Sequence, residues 1–203
     1  MIKKGRIVMS KKLSEMQIIL LDRNQKMVDA WERFFNNIEN VRLVCSDFGE
    51  FMDNNKVQCV VSPANSYGLM DGGYDLAISE WFGWDLQKKV QKFIIDNLYG
   101  EQPIGTSIMV ETGKDGIKLI HTPTMRYPDK IRDALVVYQC MRSCLMLAMK
   151  KDIESIVIPA FGGFYGQLQP DKVAEMMWRA YRQLSAPPKE ISWEYVDKCL
   201  FYY

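Results

Sequence analysis

Apolar and polar positions alternate along this chain in short blocks, and the blocks read as strands and helices taken in turn. Residues 17–21 are an apolar run closing at Asp22, the length of a strand. Over residues 25–38 the apolar side chains Met27, Val28, Trp31, Phe34 and Phe35 recur at helical spacing and form one stripe. Residues 41–45 and 57–61 read as further strands. Residues 74–82 and 84–98 read as helices broken at Gly83. Residues 107–110 and 117–120 form a hairpin-like pair of strands about a turn from Gly113 to Gly116. A long helix over 133–149, a strand over 155–158 and a helix over 171–184, opened by Pro170 and Asp171, follow. Pro187 and Pro188 stop that helix. The tail, ending Leu200-Phe201-Tyr202-Tyr203, is aromatic enough to be expected to pack on the sheet.

Strands and helices in alternation predict an α/β fold: three layers, with a central mixed, mostly parallel sheet covered by helices on both faces. A length of 203 residues suits one domain, read here as 15–203, preceded by a flexible polar arm over 1–14. A net charge of +1 leaves no global field toward nucleic acid or an anionic membrane. No apolar run approaches the ~20 residues of a membrane span. The basic start, Met1 to Arg6, is followed by no long apolar region, so no secretory leader is read and a cytoplasmic location is expected. Five cysteines are scattered and there is one histidine, so neither a zinc site nor another metal or cofactor is expected, and the thiols read as reduced.

In such sheets ligands bind outside the carboxyl ends of the strands. Asp22, Asp47, Asn65 and the pair Gly162-Gly163 all fall at ends of that kind. From Val60 an apolar strand runs into a loop holding Asn65, Gly72 and Gly73, and the loop runs into a helix. Glycine lets a ligand approach the backbone, and the helix start offers free N–H groups. A second unit, Ile158 to Gly166, carries Gly162, Gly163 and Gly166 after a strand, with Phe164 and Tyr165 between them. Two such loops at one sheet edge predict a diphosphate held from both sides. Asp47 is either a base- or ribose-binding carboxylate or a cap. Asp75 is either a water-activating group or a charge on the first turn of a helix. Asp22 reads as a cap of the helix that follows it, and His121 as a structural histidine.

Taken together these residues resemble the macrodomain family of ADP-ribose-binding modules over about 41–185. The family's strand, Val-Asn-Ala-Ala-Asn, glycine triplet and helix are matched by Val61-Ser62-Pro63-Ala64-Asn65 and Asp71-Gly72-Gly73. Ser46-Asp47-Phe48 is similar to its Gly-Asp-Ile, Ile120-His121-Thr122 to its Ile-His-Ala, and Pro159-Ala160-Phe161-Gly162-Gly163-Phe164-Tyr165-Gly166 to its second loop, one residue shorter. The resemblance implies that Asp47 accepts from the adenine amine with the Phe48 N–H beside it, and that Asn65 binds the distal ribose. It implies that Gly72, Gly73 and Tyr74 line the diphosphate and distal ribose, and that Gly162, Gly163, Phe164, Tyr165 and Gly166 close over the diphosphate. Asp75 stands where the family's hydrolases carry their catalytic Asp. The expected partner is ADP-ribose or an ADP-ribosylated substrate, with no nucleic-acid signal.

The departures are Asp71 for the first glycine, Ser62 for the first Asn and Ser79 for a His. Two functions follow: a hydrolase of an ADP-ribose adduct, either an ADP-ribosylated macromolecule or ADP-ribose 1″-phosphate, or a reader that binds without chemistry. A methyltransferase-like reading of Asp22 and Asp47 fails for want of a glycine-rich loop upstream of Asp22.

Overall fold

A computed structural model describes residues 13–199. In chain order its elements are β1 (Gln17–Asp22), α1 (Gln25–Phe35), β2 (Val41–Cys45), α2 (Phe48–Asn54), β3 (Cys59–Ser62), α3 (Gly73–Phe82) and α4 (Asp85–Leu98). There follow β4 (Ile108–Glu111), β5 (Lys118–His121), α5 (Leu135–Lys150), β6 (Ser155–Ile158), α6 (Pro170–Ser185) and α7 (Trp193–Cys199). The strands form one sheet in the order β2-β1-β6-β3-β5-β4, parallel throughout except for β4, which pairs antiparallel with β5.

Period-two alternation along β1 divides the core. Ile18 and Leu20 point into a cluster with α1, α5 and α6, while Ile19 and Leu21 point into a second cluster with α2, α3 and α4. All four residues of β3 are buried, because this strand is interior in the sheet and covered on both faces. The three-layer α/β/α architecture and its mostly parallel sheet are therefore as the sequence predicts.

Four local readings differ. α1 stops at Phe35 rather than at 38, because Asn36 caps it and Asn37 takes a left-handed conformation (φ 73°), which asparagine tolerates well. α2 was not legible: it is seven residues long, and its apolar contacts Phe48, Phe51 and Met52 span too few turns to show a period. Asp22 does not cap α1. Asn24 does, accepting from the Lys26 N–H at 3.1 Å, while Asp22 accepts from the Asn24 N–H at 2.8 Å one step earlier. The tail forms α7, whose Trp193 is 82 % exposed; Tyr195 accepts from Gln183 of α6 at 3.3 Å, so the described part of the tail meets a helix and not the sheet.

Residues 200–203, and the expected arm up to residue 12, lie outside the described residues. Leu13–Glu15 form a single 3-10 turn with Leu13 buried. No helix among the described residues is long and apolar enough to cross a membrane.

Candidate functional site

A cleft of about 780 Å³ opens at the carboxyl ends of the parallel strands. The end of β1 and the turn after it contribute Asp22, Arg23 and Asn24; the segment after β2, running into α2, contributes Ser46, Asp47 and Phe48; the β3–α3 loop and the first turn of α3 contribute Asn65 and Asp71 to Asp75; and the segment after β6 contributes Gly162 to Tyr165. The strand order explains why these meet. β6 is late in the chain but inserts between β1 and β3, so its glycine loop emerges beside that of β3.

The first loop is held before any ligand arrives. Asn65 Oδ1 accepts from the N–H groups of Tyr67 (3.1 Å) and Leu69 (3.3 Å), and its Nδ2 donates to the Leu69 carbonyl at 2.7 Å. Ser79, buried on α3, donates to the Met70 carbonyl at 2.8 Å. Met70 N–H donates to Gln87 of α4 at 2.7 Å. The N-cap of α3 is Gly72, which makes no side-chain cap, so the first-turn N–H groups and the positive end of the helix dipole are left to the cleft. Gly73 takes φ +59°, a conformation that favours glycine.

The second loop closes against the first. A Cβ on Gly72 would lie 3.2 Å from the Tyr165 hydroxyl, and one on Gly73 3.6 Å from Phe164, so both aromatic rings rest over the glycine pair. Phe164 and Tyr165 meet edge-on, with centroids 4.8 Å apart, and both are largely exposed. Gly166 differs from the rest of the expected set in being absent from the cleft lining. A Cβ there would fall 2.5 Å from the Gly162 carbonyl oxygen and 2.6 Å from Ile131, so Gly166 lets the loop fold on itself. Asp75, Asn65, Asp47, Phe48, Gly72, Gly73, Tyr74, Gly162, Gly163, Phe164 and Tyr165 all line the cleft.

Asp75 is buried, lines the cleft and accepts from the Ser62 hydroxyl at 2.6 Å through Oδ1. Burial, with Asp71 adding to it and the Ser62 bond opposing it, pushes its pKa up to about 7. That is the range in which a carboxyl can take a proton at neutral pH. Asp47 caps α2 through the Gly49 N–H at 2.9 Å, so it serves as a cap and lines the cleft as well. Tyr74 packs edge-on to Phe48 with centroids 5.3 Å apart. Its hydroxyl is buried with no hydrogen-bond partner, and burial together with Asp22, Asp75 and Asp47 raises its pKa well above the usual tyrosine value. His121 lies outside the cleft. Its Nδ1 pairs with Gln102 at 2.7 Å, and burial pulls its pKa down to about 3, which keeps it neutral and structural.

Sequence reasoning missed Arg23, the one cationic side chain lining the cleft among the described residues, and Ser46; it placed Asp22 at a ligand-binding strand end but assigned it only a cap. The available signal was position: Arg23 and Ser46 directly follow the ends of β1 and β2. Against Arg23 stand the carboxyls of Asp22, Asp47, Asp71 and Asp75. An anionic ligand here must be held by backbone N–H groups more than by side-chain charge.

A family model, Macro domain, matches residues 61–177, more than half of the chain. An uncharacterised protein of Aquifex aeolicus is 31% identical over 126 residues, covering 61% of this chain and 72% of its own length. A macro domain-containing protein of Listeria monocytogenes is 33% identical over 114 residues, 55% of this chain and 64% of its own length. Among solved structures, a point mutant of the Oceanobacillus iheyensis macrodomain with ADPR is similar at a TM-score of 0.62 and 19% identity, covering 87% of this chain and 83% of that one. At that identity the likeness shows the fold.

Proposed function

Starting from the fact that this chain belongs to the macro domain family, we propose that its cleft binds ADP-ribose and hydrolyses an ADP-ribose adduct. The observation that carries the reading is the uncapped start of α3 at Gly72-Gly73, faced across one cleft by the second glycine loop with Phe164 and Tyr165. Backbone N–H groups of both loops hold the diphosphate, which offsets its charge without a surplus of basic side chains. Asp47 accepts from the adenine amine, with the Phe48 N–H beside it. Asn65 retains one N–H beyond those that order its loop and gives it to the distal ribose.

Asp75 Oδ2 orients a water molecule and takes its proton as the water oxygen attacks the distal end of the adduct. The bond to the attached group breaks, that group takes up the proton that Asp75 gives back, and ADP-ribose and ionised Asp75 remain. A reader that binds without turnover is the second reading. It is favoured by Asn65, whose amide is largely engaged inside its own loop.

Calorimetry with ADP-ribose against ADP and AMP tests the binding half: equal affinity for all three removes ADP-ribose as the ligand. Turnover of an ADP-ribosylated protein and of ADP-ribose 1″-phosphate, by the wild type and Asp75→Ala, tests the chemical half. Loss of turnover in the variant with binding retained supports the hydrolase. Equal turnover in both proteins sinks the role of Asp75, and binding without any turnover by the wild type establishes the reader.

A further inference from the structure

We propose that Ser62 is a positioning residue for Asp75: its hydroxyl, packed beneath the cleft floor, holds the Asp75 carboxyl in one orientation and favours its charged form. Ser62 is the last residue of β3, fully buried, and is held by its strand. It sits opposite His121 in the β3–β5 ladder, and its carbonyl accepts from the Thr122 N–H at 3.0 Å. The hydroxyl is therefore placed by the sheet and not by a loop. Its hydrogen bond to Asp75 Oδ1 is short, at 2.6 Å, as expected for a hydroxyl on a carboxylate. Ser62 does not line the cleft, so it acts on a ligand only through Asp75.

The surroundings of Asp75 make this one contact decisive. From the preceding loop comes Asp71; from its own helix, Tyr74; and beyond the Tyr74 hydroxyl stand Asp22 and Asp47 at the ends of β1 and β2. Burial and Asp71 both disfavour a negative charge on Asp75, and Ser62 supplies the hydrogen bond that opposes them. Arg23 lines the cleft but is not among the groups acting on Asp75. With Ser62 removed, more of Asp75 is protonated at neutral pH, and a protonated carboxyl is too weak a base to take a proton from water. The catalytic consequence rests on the role given to Asp75 above; the titration consequence does not.

The test is a carbon-13 NMR titration of the Asp75 carboxyl in the ligand-free wild type, Ser62→Ala, Ser62→Thr and Ser62→Cys, with Asp75→Asn for assignment. The Ala variant is expected to titrate about one pH unit higher, Thr to return toward the wild type, and Cys, a weaker donor of similar volume, to fall between. Cys carries the test if Ala does not fold. In turnover assays the acid limb of kcat moves by the same amount while KM stays put. An unmoved Asp75 midpoint in a folded Ala or Cys variant overturns the proposal. A moved midpoint in a protein that turns nothing over supports the positioning role and refutes the catalytic one.

Discussion

Asp75→Asn is expected to make the protein more stable, by an increment that grows as pH rises from mild acid to above neutrality. Folded, Asp75 holds its proton up to about pH 7; an ordinary aspartate gives it up near 3.8. Between those values the folded chain binds one proton more than the unfolded chain, so stability falls as pH rises. At about 1.4 kcal/mol per pH unit, the loss between pH 5 and pH 8 is about 3 kcal/mol. Asp75 is only 7% exposed, so solvent relieves little of it. Asparagine keeps an oxygen to accept from Ser62 and has no charge to desolvate, so the variant escapes the loss. Urea unfolding of both proteins at pH 5 and pH 8 reads the effect as a difference of differences. The titration of His121 in the unfolded state is common to both proteins and cancels. A wild-type-minus-variant stability that stays flat from pH 5 to pH 8 would refute the buried, late-titrating carboxyl. About 3 kcal/mol is a sizeable fraction of the stability of an ordinary domain. An acid kept at such a position against its own stability is what a working group in a site looks like.

Gly166→Ala places a Cβ against the Gly162 carbonyl and Ile131, so thermal melting should show a loss of about 1–3 kcal/mol and calorimetry a weakened ADP-ribose complex; an unchanged melting temperature refutes the packing argument. Asp47→Ala should lose about 1 kcal/mol with the α2 cap, whereas Asp47→Ser keeps a capping hydroxyl. Weakened ADP-ribose binding in the Ser variant at wild-type stability isolates the ligand contact, and unweakened binding rules it out. His121, neutral when folded down to about pH 3, charges near 6.5 when unfolded, so stability falls as pH drops through that window. His121→Asn should flatten the acid limb by one proton's worth, checked by urea midpoints at pH 4 and pH 6.5.

Much of the site was legible because its parts are local. A strand, a polar residue and a glycine pair before a helix are adjacent in the chain, and their chemistry follows from adjacency: Asn65 organises residues within four positions of itself, and Gly72 leaves α3 uncapped. The strands and long helices were legible because each carries several periods of its apolar pattern. α2 was not, being shorter than two turns. Asp22 was misread as a cap because Asn24, two residues on, competes for the same role and only geometry decides between them.

The sequence by itself determined the class of fold, the two glycine loops and the acids beside them, since these depend on periodicity and on backbone freedom within a few residues. Only the tertiary structure decided how they combine. Placing β6 between β1 and β3 brought residues about ninety positions apart into contact across one cleft, with Tyr165 resting on Gly72. Tertiary packing also buried Asp75, which moves an ordinary-looking aspartate into the neutral pH range, and set the Ser62 hydroxyl against it to oppose that shift. Strand order and burial are collective properties of the packed sheet. They are set by which faces exclude water together, and no stretch of the chain read alone contains them.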